Sequence, residues 1–135
     1  MKTINTGLLL IAHGARDPAW ATPFQEVARR ITAARPDVKV TLSFLEFMSP
    51  GIEDAARQLV ELGCTSIHVV PMFLGASGHV RRDIPPLLER LSLHYGDQIS
   101  WQQHAALGEA DAVMQTMADV TLTWMDGVPA APLTR

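Results

Sequence analysis

Three residues able to ligate a metal or carry a proton recur at equal intervals in this chain: His13, Glu46 and His79. Each stands where an apolar run gives way to a turn. His13 follows Leu8-Leu9-Leu10-Ile11-Ala12, Glu46 closes Val40-Thr41-Leu42-Ser43-Phe44-Leu45, and His79 lies just beyond Val69-Val70-Pro71-Met72-Phe73-Leu74. If those runs are parallel strands, all three side chains meet at the carboxyl edge of one sheet, where open α/β sheets bind ligands. Two imidazoles and a carboxylate there suit a divalent metal or proton transfer.

The neighbours of these residues suggest an anionic ligand. Gly14 lets backbone approach a ligand closely, and Arg16 follows it. His79 sits in Gly75-Ala76-Ser77-Gly78-His79-Val80-Arg81-Arg82-Asp83. Two glycines, a helix start with unpaired N–H groups and two arginines make an anion-binding turn. Ser77, Gly78, Arg81 and Arg82, with Arg16, are therefore the candidate substrate-binding residues. Glu46 is a metal ligand or a proton acceptor, and Asp83 caps a helix or orients His79.

Other chemistries fit poorly. The Gly75–Val80 stretch lacks the Gly-Lys-Ser/Thr ending of a P-loop, and Ser77 is not in a nucleophile elbow. His13-Gly14 resembles a histidine-phosphatase start, but Ala12 occupies the place of the arginine those enzymes carry. There is no His-Glu-x-x-His and no Cys-x-x-Cys.

The bulk properties narrow the class. At 135 residues the chain is about one domain. Its hydrophobic content of 47% and charged content of 19% are those of a globular protein. A net charge of −3 argues against a general nucleic-acid partner. Cys64 is the only cysteine and reads as a small core residue, which suits a reducing compartment. The apolar run Leu8–Ala12 is too short for a signal sequence or a membrane span, so a cytoplasmic protein without a membrane partner is expected.

The elements that must position the site alternate. Strands are expected over Thr6–Ala12, Val38–Glu46, Ser66–Leu74 and, short and polar, Gln98–Gln102. The first should be buried on both faces. A helix opens at Asp17-Pro18, with Trp20, Phe24, Val27, Ala28 and Ile31 inward, and stops at Pro36. A second starts at Ser49-Pro50, buries Ile52, Ala55, Ala56 and Leu59, and ends at Gly63. A third runs from about Val80 to His94, with Leu87, Leu88 and Leu91 inward and Pro85-Pro86 near its start or at a break. The last follows Asp111, with Val113, Met117, Val120 and Trp124 as its buried face. This predicts one α/β domain over 1–126, a single four-stranded parallel sheet flanked by helices, flavodoxin-like, in the order 2-1-3-4. A loose tail is expected over 127–135. The equal spacing reflects equal strand-plus-helix lengths and is no functional repeat, since the fourth unit places Ala112 at the equivalent step.

Three segments carry a family resemblance. Leu9-Leu10-Ile11-Ala12-His13-Gly14-Ala15-Arg16-Asp17-Pro18 resembles the opening motif of the small sirohydrochlorin cobalto- and ferrochelatases. Phe44-Leu45-Glu46-Phe47-Met48-Ser49-Pro50 is similar to their second motif. Pro71-Met72-Phe73-Leu74-Gly75 through Gly78-His79-Val80-Arg81-Arg82-Asp83-Ile84-Pro85 is similar to their third. The three lie in order and span residues 7 to about 90. Met48 and His68 depart from the pattern, and neither is a key position.

The resemblance implies a chelatase-like (class II) fold in its short form. It implies a lyase that inserts Co2+, Fe2+ or Ni2+ into sirohydrochlorin, a polycarboxylate tetrapyrrole, in cobalamin- or siroheme-type biosynthesis. The divalent metal is then a substrate, and no organic cofactor is implied. His13 and His79 match the family's paired histidines and Glu46 its acidic residue. A non-catalytic metal or tetrapyrrole carrier of the same fold would use the same residues. Short members pair as homodimers. A four-stranded sheet alone is also too small to enclose a planar macrocycle, so a second copy is expected to complete the cleft.

Overall fold

In a computed structural model of the chain, residues 5–75 and 78–127 are described, apart from the side chains of 78–81. Strands β1 (Thr6–Ala12), β2 (Lys39–Phe44), β3 (Ser66–Pro71) and β4 (Ser100–Gln103) alternate with helices α1 (Thr22–Ala34), α2 (Ile52–Glu61), α3 (Gly78–Tyr95) and α4 (Asp111–Asp126). All strand pairs are parallel, in the order β2-β1-β3-β4 expected from the sequence. Leu9 and Ile11 alternate with Leu8, Leu10 and Ala12, so β1 feeds two layers. On one side Leu9, Ile11, Ile67 and Val69 pack with Ala55, Ala56 and Leu59 of α2 and Ile84, Leu88 and Leu91 of α3. On the other, Ala12 and Phe44 pack with Ala21, Trp20 and Phe24 at the start of α1.

The registers bring the strand ends level. Ala12 pairs with Phe44, and Ile11 with Pro71. Ser43, the one buried polar side chain among the described core, donates its hydroxyl to the Leu10 carbonyl at 2.8 Å. Cys64 is buried, as expected, and burial pushes its thiol pKa up. That disfavours the thiolate and leaves it a packing residue.

Several boundaries differ from the sequence reading. Asp17-Pro18 opens a 3-10 turn, Pro18–Ala21, before α1 begins, and the Asp17 carboxylate accepts from the Ala19 N–H at 2.9 Å. Strand β2 ends at Phe44 and β3 at Pro71, so Glu46 and Leu74 lie beyond the sheet. The Ser49–Pro50 bond is cis, and α2 starts only after Gly51. A 3-10 turn at Gly96–Gln98 displaces β4 to Ser100–Gln103. Pro85 and Pro86 lie inside α3. The helix continues past them because Ile84, Leu88 and Leu91 are held in the core on either side.

The largest correction concerns the layer holding α1. The expected inner stripe of α4 is not buried: Met117, Val120 and Trp124 are exposed, and Val113 is only half-buried. Val27 of α1 is exposed, and Leu8 of β1 is half-buried where burial on both faces was expected. Helical periodicity marks which residues should be covered; it does not supply the covering surface. The expected tail beyond Gly127 lies outside the described residues. No described helix is long and apolar enough to cross a membrane.

Candidate functional site at the carboxyl edge of the sheet

The site begins where the ladder becomes irregular. The Leu45 N–H donates to the Ala12 carbonyl and the Glu46 N–H to the His13 carbonyl, both at 3.0 Å. These bonds carry the β1–β2 pairing past the last regular pair and hold His13 and Glu46 side by side. Gly14 then turns away with φ +94°, and a Cβ there would run into the Glu46 carbonyl oxygen. Glycine is required at this position for both conformation and space.

Beyond Glu46 the chain reverses tightly. Phe47 adopts φ +67°, and the Met48 N–H donates to the Glu46 carbonyl at 2.8 Å. A positive φ in a bulky aromatic residue is costly and clusters at functional sites. The reversal leaves the Glu46 side chain exposed past the sheet edge. It also presents the Phe47 ring to the Arg16 guanidinium, 5.1 Å from the ring centroid. That contact steadies Arg16 next to the His13 loop.

His13 is exposed and leans on Phe73, with ring centroids 4.3 Å apart and planes tilted by 53°. Phe73 is buried just beyond β3 and acts as a wall for the imidazole. As a site residue it was missed from the sequence, which places it inside the third apolar run; continuing the β1–β3 register two residues past the Ile11–Pro71 pair sets it level with His13. The loop after β3 is pinned by the Gly108 N–H, which donates to the Phe73 carbonyl at 2.8 Å.

His79 lies in the first turn of α3, which starts at Gly78, shortly after β3 ends. Its side chain and that of Arg81 lie outside the described residues, as does Ser77. Arg82 lines a cavity of ≈ 430 Å³ between the end of β2, the start of α2 and α3, together with Leu45, Ile52, Pro86 and Arg90. Arg90 also bonds Glu53 at 3.3 Å. Arg90 was missed; its signal was the spacing 82, 86, 90, which sets three residues on one helical face. The structure thus joins His13 and Glu46 through their backbones, sets Arg16 against Phe47 next to Glu46, and places Arg82 in a cavity lined by Leu45. Among the described residues no three of His, Cys, Asp and Glu converge closely enough to hold a metal.

One pair of histidines stands apart. His68 Nδ1 and His104 Nε2 are 2.8 Å apart with the rings stacked, so one ring donates a proton to the other. It borders the sheet face that Leu8 and Val70 leave open.

The comparisons with known proteins bear on the family and the fold. The CbiX family model matches residues 7–122. A sirohydrochlorin cobaltochelatase of Sulfolobus acidocaldarius is 37% identical over 86 residues, covering 64% of this chain and 68% of that protein. One from Methanosarcina acetivorans is 34% identical over 86 residues, covering 64% and 66%. The alignments thus span about two thirds of these curated relatives. Among solved structures, a CbiX protein of Marinobacter aquaeolei VT8 superposes with a TM-score of 0.76 over 90% of this chain and 98% of its own, at 22% identity. The sirohydrochlorin chelatase SirB of Bacillus subtilis subspecies spizizenii, in complex with cobalt, gives 0.67 over 87% of this chain and 51% of its own, at 27% identity. Ordered motifs, sheet order and matched length agree, and the chain belongs to the CbiX family.

Proposed function

We propose that this protein is a sirohydrochlorin metal chelatase, a lyase that inserts Co2+ into the macrocycle, with Fe2+ and Ni2+ as further candidate substrates. The observation that carries the reading is the pairing of His13 and Glu46 at the carboxyl edge of the sheet, joined through the 3.0 Å bond between their backbones. The sirohydrochlorin cobaltochelatases among its relatives and the cobalt complex of SirB support cobalt first.

Insertion replaces two pyrrole N–H protons by one M2+, so the site must release two protons and strip water from the metal. An imidazole and a carboxylate side by side provide both a ligand and a proton acceptor. In this reading His13, Glu46 and His79 hold the metal and take up the protons. Arg16, Arg81, Arg82, Ser77 and the Gly78 backbone at the start of α3 hold ring carboxylates. Residues 1–126 act as the chelatase unit, in the cytoplasm, and a second copy completes the cleft around the ring. No organic cofactor enters the reaction.

The test is an anaerobic insertion assay with sirohydrochlorin and each of Co2+, Fe2+ and Ni2+, on the wild-type chain and on His79→Ala. Wild-type turnover lost in the variant supports the reading. Tight binding of macrocycle or metal with no turnover by any of the three metals would make the protein a carrier.

A further inference from the structure

We propose that Phe47 and Leu74 are the apolar contacts for the macrocycle's ring system, with Phe47 the larger of the two. The proposal rests on the chelatase reading above and deepens it by naming the residues that hold the ring's carbon framework, where the arginines hold its carboxylates.

The first observation is a strained turn that projects an aromatic ring away from the core. The Phe44 N–H donates to the Pro50 carbonyl at 3.0 Å, and Phe44 forms an isolated bridge with Gly51, so the loop from 45 to 50 is closed at its base. Its apolar side chains go three ways. Leu45 packs against the core under α2 and α3, and Met48 against the second core with Trp20 and Phe24. Phe47, between them, is 59% exposed. The bond from the Met48 N–H to the Glu46 carbonyl spans two residues, and φ at Phe47 is +67°. Together they make a γ-turn of the rare, strained kind. Glycine or asparagine adopts such a φ at little cost, and a bulky aromatic does not. Burial does not offset that cost, because the ring is largely in water. A backbone outlier of this sort points to a use for the side chain it displays.

The second observation is where the two side chains stand. Strand β1 lies between β2 and β3, so the loops carrying Phe47 and Leu74 flank the loop carrying His13. Leu74 is 70% exposed. Its backbone is held in place: a Cβ on Gly108 would run into it, and the preceding Phe73 carbonyl accepts from the Gly108 N–H at 2.8 Å. Strands β2 and β3 are two strand spacings apart, about 10 Å, on the scale of a tetrapyrrole's planar core. Single exposed apolar residues are ordinary on a protein surface. Two of them, one on each side of the His13 loop, match a ligand site, which is mostly apolar with a few placed polar groups. Arg16 supplies such a group, its guanidinium 5.1 Å from the Phe47 ring centroid. A flat apolar ligand with an acidic rim fits both at once, its plane against the phenyl ring and a carboxylate on the guanidinium.

The experiment measures anaerobic binding of sirohydrochlorin to the full chain without metal, from the change in the macrocycle's absorbance. Phe47→Leu should raise Kd roughly tenfold, Leu74→Ser about threefold, and Phe47→Trp should keep it near wild type. Phe47→Leu is then repeated in an Arg16→Ala background. A ring that touches the macrocycle still weakens binding severalfold there. A ring that acts only by steadying Arg16 has no further effect, and that result overturns the proposal. Phe47→Gly relieves the turn, so binding should weaken as in Phe47→Leu with the thermal unfolding midpoint unchanged or raised. A midpoint lowered by several degrees would make the ring a structural element and overturn the assignment. A wild type that binds sirohydrochlorin no better than Phe47→Leu does overturns the apolar contact and leaves the chelatase reading standing. A wild type that does not bind sirohydrochlorin at all overturns both.

Discussion

The backbone N–H of Glu46 donates to the carbonyl of His13 at 3.0 Å, so the two groups best suited to metal and proton chemistry are tied by the sheet's own hydrogen-bond ladder. Neither depends on a flexible loop for its position. The ladder extends past its last regular pair only because Gly14 and Phe47 adopt positive φ on either side.

Gly14→Ala should therefore damage both stability and activity. The new Cβ meets the Glu46 carbonyl oxygen, and φ +94° is unfavourable for alanine. A loss of about 2 kcal/mol or more is expected in urea unfolding, with insertion reduced as the two strands' ends separate. A change below about 0.5 kcal/mol would contradict this account of the turn.

Glu46→Gln preserves shape and removes charge. Glu46 is exposed, so urea unfolding should move by less than about 0.5 kcal/mol. Insertion should fall roughly a hundredfold if the carboxylate accepts a pyrrole proton. Unchanged kcat with normal folding would remove Glu46 from the reaction.

His13→Ala should separate function from folding in the same way. The imidazole is exposed and touches the core through Phe73 alone among the described aromatic contacts, so about 1 kcal/mol or less is at stake. Phe73→Leu removes the wall and leaves the imidazole in place. It should lower kcat less than His13→Ala does, and wild-type kcat in Phe73→Leu would show that the wall does not position the imidazole.

Arg16→Ala and Arg82→Ala should raise KM for sirohydrochlorin by roughly tenfold each, with a smaller effect on kcat, because carboxylate contacts made equally in ground and transition states act on binding. Arg90→Ala should behave similarly, since Arg90 lines the same cavity as Arg82. Steady-state kinetics at fixed metal distinguishes this from a kcat effect, which would place the arginines at the reacting centre.

Much of the fold and part of the site were legible in the sequence. Apolar runs, helix stops and the spacing of strand-ending polar residues predicted four parallel strands, their order and the meeting of His13 with Glu46. These are local and periodic properties, and a parallel sheet brings equivalent strand ends together automatically. The buried stripe of α2, Ile52, Ala55, Ala56 and Leu59, was readable for the same reason.

Tertiary structure alone decided the rest. Phe73 under His13 and Phe47 over Arg16 are contacts between segments distant in sequence, set by how the loops fold over the sheet edge. Arg90 joins the cavity with Arg82 because α3 runs unbroken through two prolines, which local propensity argues against. The sequence by itself determined that α4 is a helix with an apolar face. That this face stays exposed on its own chain was decided by the tertiary arrangement, because helical periodicity marks an apolar face without supplying the surface that covers it.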